Sequence, residues 1–100
     1  MKLEVSEQTA TISLNPCLDM ASAESLLEIF LDCDNRALNL KIDASAVEKA
    51  STACIQVIHS AAVSCIDAGR AFQISQASET LVTAFKDLGL YSNITMMDEG

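Results

Sequence analysis

The sequence predicts an α/β fold in which helices pack mainly on one face of a mixed β-sheet of four to five strands. Segments with an apolar residue at every second position, typical of half-buried strands, alternate along the chain with segments of helical periodicity. A chain of 100 residues, 50% of them hydrophobic, can bury one core but not two. We therefore expect residues 1–100 to form a single domain.

The N-terminal part of the chain has the pattern of a hairpin. It predicts a short strand, a turn at residues 6–8 and a second strand that ends at Asn15 and Pro16. The alternating apolar residues are Leu3, Val5, Ala10, Ile12 and Leu14.

A first helix is predicted to follow, with Asp19 or Ser22 as its N-cap, because both residue types can accept a hydrogen bond from a free backbone N–H. The face expected to be buried carries Ala23, Leu26, Leu27, Phe30 and Cys33. A strand is then predicted by the alternation of Leu38, Leu40 and Ile42 with polar residues.

A second helix is predicted over residues 51–68, where Gly69 offers a C-terminal stop. The face expected to pack on the sheet carries Ile55, Ile58, Ala62, Cys65 and Ile66. The opposite, nearly uncharged face carries Thr52, Gln56, His59, Val63 and Asp67.

The C-terminal part predicts a strand, a third helix and a last strand. Phe72 and Ile74 alternate with polar residues in the strand. Ser78 is expected to cap the helix, which ends at Gly89 and carries Leu81, Val82, Phe85 and Leu88. Residues 94–96 are the expected last strand.

The charge balance argues against several classes of partner. The chain has a net charge of −8, and its six Lys and Arg residues are scattered, so no basic patch is expected to bind nucleic acid or an anionic membrane. No apolar run approaches the roughly 20 residues of a membrane span. The N-terminus also lacks the apolar segment of a signal peptide. We expect a cytoplasmic protein without membrane insertion.

The residues available for chemistry are few. His59 is the single histidine, and its neighbour Ser60 points about 100° away on a helix, so the two do not form a catalytic pair. The four cysteines lack the short spacings of a metal site, and we expect them to be reduced, buried thiols. These patterns predict no enzyme activity, no catalytic residue, no metal and no cofactor.

The start of the second helix is the most informative position for function. Ser51 or Thr52 can serve as its N-cap. Because a helix N-terminus also tolerates phosphate well, phosphorylation of either hydroxyl would add negative charge beside the outer face and change what docks there.

Several motifs resemble the STAS domain, the small α/β module of sulfate transporters and anti-sigma factor antagonists. Residues 14–26, LNPCLDMASAESL, are similar to the family pattern LxGxLDxxxAxxL, with Pro16 in place of glycine. The family segments DxSxV, DSSGLGxL, AGRxLxL and LxGL resemble residues 43–47, 51–58, 68–74 and 87–90, respectively.

In anti-sigma factor antagonists the first serine of DSSG is phosphorylated by a serine kinase of the anti-sigma type. The resemblance therefore implies Thr52 as the phospho-acceptor, or Ser51 if the alignment slides by one residue. Asp19 matches the acidic residue that the family places near this loop.

Residues 43–58 and 69–72 resemble most closely the divergent single-domain, CheS-type STAS proteins of bacterial chemotaxis clusters. This resemblance implies binding to the chemotaxis histidine kinase of a two-component system and an effect on phosphate flow to or from a response regulator. The MlaB-like STAS subunit of phospholipid ABC transporters shares the helix-two pattern and would dock on an ATPase. The expected partner-binding residues are Thr52, Ala53, Gln56, His59 and Val63, and the same face could form a homodimer.

Overall fold

The computed structural model describes residues 2–77, 79–87 and 97–99. The elements in these residues, in chain order, are β1 (Lys2–Ser6), β2 (Thr9–Ser13), β3 (Cys17–Leu18), α1 (Met20–Asn35), β4 (Asn39–Asp43), β5 (Lys49–Ala50), α2 (Thr52–Asp67), β6 (Phe72–Ala77), α3 (Glu79–Asp87) and β7 (Met97–Glu99).

The main sheet has five strands in the order β1-β2-β4-β6-β7. The edge strand β1 pairs antiparallel with β2, whereas the remaining neighbours pair in parallel. The short strands β3 and β5 form a separate parallel pair. The predicted mixed sheet is confirmed. The β3–β5 pair was not predicted, because two-residue strands are too short to show a period.

The two faces of the sheet differ in polarity, as the alternation predicted. The face beneath the helices is buried and carries Ala10, Ile12, Leu40, Ile42, Phe72 and Ile74. On the other face, Thr11 lies opposite Lys41, and Lys41 lies opposite Gln73. Lys41 and Gln73 are exposed, so the helices of the described residues leave this face of the sheet open.

The β1–β2 hairpin turns at two residues with positive φ, Glu7 at 50° and Gln8 at 66°. This is the backbone of a type I′ turn, whose twist matches that of the strands. Strand β2 ends at Ser13, two residues before the predicted Asn15. Val5 is 41% exposed although it pairs with buried Ala10, because β1 lies at the edge of the sheet.

Helix α1 is capped at both ends by local hydrogen bonds. Of the two predicted N-caps, Asp19 occupies the position, and its Oδ1 accepts from the Ser22 N–H at 2.9 Å. The helix ends in a Schellman motif, with the Leu38 N–H donating to the Cys33 carbonyl at 3.0 Å and Ala37 at a φ of 53°.

Helix α2 begins and ends close to the predicted residues. It starts after the N-cap Ser51 and ends at Asp67. At Gly69, with a φ of 75°, the Arg70 N–H donates to the Cys65 carbonyl at 2.9 Å and completes a second Schellman motif. The predicted end of α2 at Gly69 is therefore confirmed.

Two helical residues predicted to be buried are exposed: Leu27 on α1 by 48% and Ile66 on α2 by 41%. Each directly follows a fully buried residue, Leu26 or Cys65, and successive helical residues diverge by about 100°. Both side chains therefore fall outside the buried stripe, and the predicted buried faces were too wide.

Helix α3 contributes the buried side chains of Leu81, Val82 and Phe85 to the core, as predicted. The predicted cap Ser78, the predicted helix end at Leu88 and Gly89, and residues 94–96 lie outside the described residues. The described strand at this end of the chain is β7.

Candidate functional site

The N-terminus of α2 is hydrogen-bonded to the chain that enters α1. The Ser51 N–H donates to the Leu18 carbonyl at 2.8 Å. The Cys54 thiol donates to the Asp19 carbonyl at 3.1 Å. Both hydrogen bonds link the start of α2 to the backbone of residues 18 and 19, which lead into α1. They therefore hold the N-termini of the two helices next to each other.

The two predicted phospho-acceptors differ in accessibility. Ser51 is half-buried, and its hydroxyl oxygen accepts from the Cys54 N–H at 3.2 Å as the α2 N-cap. Thr52 is the first residue of the helix and is exposed. A modifying enzyme could reach Thr52 without breaking the cap, whereas modification of Ser51 would remove it.

Asp19 lies beside this N-terminus through its main chain, while its carboxylate caps α1. The hydrogen bond from the Ser22 N–H, followed by one from the Ser22 hydroxyl, holds the pKa of the Asp19 carboxyl below its ordinary value. The ionised carboxylate is therefore part of the α1 cap and contributes negative charge near the start of α2.

The predicted partner-binding residues form one continuous strip along α2. Thr52, Gln56 and Val63 are exposed, whereas Ala53 and His59 are half-buried at the edges of the strip. His59 thus differs from the predicted outward position. Its Nε2 atom is buried and has no hydrogen-bond partner in the part of the chain that the structure describes.

The strip has almost no charge. Helix α2 contains no Lys or Arg, and its one carboxylate, Asp67, lies at the C-terminal end. A partner could therefore approach the first three turns without desolvating a charged side chain. The arrangement suits contact with another polypeptide, and the partner-binding role of these residues remains a prediction.

The cysteines do not share one environment, contrary to expectation. Cys33, Cys54 and Cys65 are buried, and burial raises the pKa of all three thiols. Cys17 is exposed. It belongs to the short strand β3, where alternation turns Leu18 inward and Cys17 outward.

A groove between α1 and α2 was missed by the sequence analysis. This α1–α2 groove has a volume of about 180 Å³ and is lined mainly by Leu27, Phe30 and Leu31 of α1 and Val57, Ser60 and Ala61 of α2. Leu27 and Leu31 are exposed by 48% and 56%. Apolar residues stand side by side at positions 26–27 and 30–31, which makes the apolar stripe of α1 wider than one buried face needs. This pattern could have indicated that α1 has a second apolar surface besides the one that packs on the core.

The described residues also bear on metal binding and membrane insertion. Among them, no three His, Cys, Asp or Glu side chains lie close enough together to hold a metal ion. None of their helices combines the length and apolar character needed to cross a bilayer.

Comparison with known proteins gives the family. The model of the family described as "Mlab, STAS domain" matches residues 1–96. The chain belongs to the STAS-domain family. A search of curated protein sequences gave no significant match to this STAS domain.

A solved structure gives the same fold for the STAS domain. It is described as the anti-sigma factor antagonist SpoIIAA in its unphosphorylated form. The two chains are 16% identical and superpose with a TM-score of 0.82, over 99% of this chain and 86% of SpoIIAA. The family resemblance inferred from the motifs is confirmed, as is the α/β architecture.

Proposed function

We propose that this STAS domain is a non-enzymatic regulatory protein that acts in the cytoplasm by binding a signalling protein. The docking surface is the strip on α2 formed by Thr52, Ala53, Gln56, His59 and Val63. The observation that carries the proposal is the uncharged character of this strip, of which Thr52, Gln56 and Val63 are exposed, next to the capped N-terminus of α2. Such a surface supplies the low-charge centre of a protein–protein interface.

The partner we propose is the chemotaxis histidine kinase, whose phosphate flow to or from a response regulator would change on binding. This choice is supported by the similarity of residues 43–58 and 69–72 to the single-domain STAS proteins of chemotaxis clusters. The domain would act by occupying a surface of the kinase.

The test is binding of the purified full chain to the histidine kinase of the same organism, measured by calorimetry. We expect Gln56→Arg and Val63→Asp each to weaken binding by about tenfold, because each places a charge in the uncharged centre of the proposed interface. Gln73→Arg is the matched control, since it makes the same substitution on the open face of the sheet. Failure of the wild-type chain to bind would reject the kinase, and unchanged binding by both variants would reject the surface.

A second candidate function is favoured by the exposure of Thr52. As an anti-sigma factor antagonist, the protein would be phosphorylated by a serine kinase in a partner-switching cascade, at Thr52 or at Ser51. Mass spectrometry after incubation with such a kinase and ATP would show the added phosphate. Thr52→Ala should remove the modification if Thr52 accepts it, whereas Ser51→Ala would remove it if the capping hydroxyl does.

The match to the family described as "Mlab, STAS domain" supports a third candidate, a subunit that docks on the ATPase of a phospholipid ABC transporter. Capture of that purified ATPase by the wild-type chain, with weaker capture by Gln56→Arg, would favour the transporter subunit over the kinase partner.

A homodimer through the same strip is tested by sedimentation, because Val63→Asp should then convert a dimer to a monomer.

A further inference from the structure

The residues of α2 that line the α1–α2 groove are not those of the strip proposed above. Val57, Ser60 and Ala61 face α1, whereas Gln56 and Val63 belong to the outer face. The inference below rests on the lining of the groove and does not depend on the proposed function.

The groove has the size and lining of a site for one large apolar side chain. Its volume of about 180 Å³ is close to that of engineered apolar cavities of about 150 Å³ that bind benzene. Phe30 forms buried lining, while Leu27 and Leu31 keep roughly half of their surface exposed at the rim. Covering these two leucines would remove apolar surface from water and favour binding.

Asp34 and Arg70 line the groove and pair with each other, so the unpaired charge beside the groove is acidic. The two helices that form it carry five carboxylates, Glu24, Glu28, Asp32, Asp34 and Asp67, and no Lys or Arg. Asp32 pairs with Arg36 and Asp34 with Arg70. The other three carboxylates have no ion pair within the described ranges. Glu24 and Glu28 lie three residues before Leu27 and Leu31, hence on the same side of α1 as the apolar rim.

We propose that the α1–α2 groove binds an amphipathic helix of a protein partner, with an apolar anchor side chain in the groove and Lys or Arg residues on its flanks. A channel between two packed helices accepts a third helix in the helix-in-groove mode of recognition. The basic flanks pair with Glu24 and Glu28. The acidic residues beside the groove would repel an anionic lipid surface. A second copy of this chain, with its net charge of −8, would be repelled in the same way.

The probe for this proposal is a fluorescein-labelled Leu/Lys amphipathic peptide of about 18 residues, long enough to be helical. A Leu/Glu peptide of equal length is the charge control. Fluorescence anisotropy with the full chain should show binding of the Leu/Lys peptide only. Glu24→Gln combined with Glu28→Gln should weaken that binding a few-fold and reduce its salt dependence, because two ionic contacts are lost.

The decisive variant is Leu31→Asp, with Val63→Asp as its matched control. Both replace an exposed aliphatic residue by a carboxylate, so both preserve any unspecific attraction of a basic peptide to an acidic protein. We expect Leu31→Asp to weaken binding by at least about tenfold and Val63→Asp to leave it within about twofold. Circular dichroism checks that both variants are folded.

Three results would overturn the proposal. Equal binding of the Leu/Lys peptide by wild type and Leu31→Asp would mean that the peptide does not bind in the groove. Equal binding of the Leu/Lys and Leu/Glu peptides would mean that the acidic residues do not select a basic partner. A wild-type dimer that Leu31→Asp converts to a monomer would assign the groove to a second copy of the chain. Loss of kinase binding in Val63→Asp bears only on the strip, so the two surfaces are tested separately.

Discussion

The thiol of Cys54 donates a hydrogen bond to the main-chain carbonyl of Asp19 at 3.1 Å, between residues 35 positions apart in the sequence. This contact joins the first turn of α2 to the N-cap of α1. Because the N-terminal part of the proposed docking strip begins at this turn, the hydrogen bond helps to set the position of Thr52.

We predict that Cys54→Ala lowers the free energy of unfolding by about 1 kcal/mol, since it removes a buried sulfur and its hydrogen bond. Cys17→Ala is the control because Cys17 is exposed, and its effect should stay within about 0.5 kcal/mol. Urea unfolding measures both values. Equal stability losses would mean that the buried contact contributes nothing specific.

Stability at low pH should depend on the cap of α1. The hydrogen bonds from Ser22 lower the pKa of Asp19 in the folded state, so the ionised carboxylate stabilises the fold above its unfolded pKa of about 3.9. That contribution is lost as the pH falls through the lower, folded-state pKa.

Asp19→Asn keeps a capping oxygen but removes this titration. We predict that the stability advantage of wild type over Asp19→Asn shrinks between neutral pH and about pH 3, as measured by urea unfolding at each pH. Asp43, whose pKa is lowered by a hydrogen bond from the Ser45 N–H, is present in both proteins, so its contribution cancels in the difference. An advantage that stays constant with pH would contradict the assignment of Asp19 as the titrating cap.

The fold was readable from the sequence because strand and helix periods are local. Gly69 marked the end of α2, and Asp19 was one of the two N-caps considered. The two apolar pairs of α1 indicated a wide apolar stripe, but the position of the groove depends on how α1 and α2 pack and could not be predicted from the sequence. The partner-binding strip could be placed on a helix face, but the half-burial of His59 depends on residues distant in the sequence.

The two Schellman motifs give a matched pair of predictions. Ala37 holds a φ of 53°, which costs a residue with a Cβ atom about 1 kcal/mol, so Ala37→Gly should stabilise the protein by about 0.5 to 1 kcal/mol. Gly69→Ala should destabilise the protein by about 1 kcal/mol through the same backbone strain. A steric clash adds nothing to this cost, because no neighbouring atom lies within 4 Å of the added Cβ. Thermal unfolding measures both. Changes of the same sign in the two variants would contradict this account.

Arg70 connects the C-terminal ends of the helices that flank the groove. Its Nη1 donates to the Leu38 carbonyl at 2.7 Å, and its Nη2 pairs with Asp34, with only 12% of the arginine side chain exposed. Arg36 forms an ion pair with Asp32 on the same helix end, but its side chain is 49% exposed. The two arginines therefore offer a comparison between a largely buried arginine that also binds a main-chain carbonyl and a half-exposed arginine that forms only an ion pair.

We predict that Arg70→Met lowers the free energy of unfolding by about 2 kcal/mol, since it leaves the Leu38 carbonyl without its side-chain donor and Asp34 without its cation. Arg36→Met should change it by no more than about 0.5 kcal/mol, because solvent screens an exposed pair. Arg70→Lys should fall between them, since one ammonium cannot reproduce the two directed bonds of the guanidinium. Urea unfolding of the three variants tests this order, and an Arg36→Met loss as large as that of Arg70→Met would contradict it.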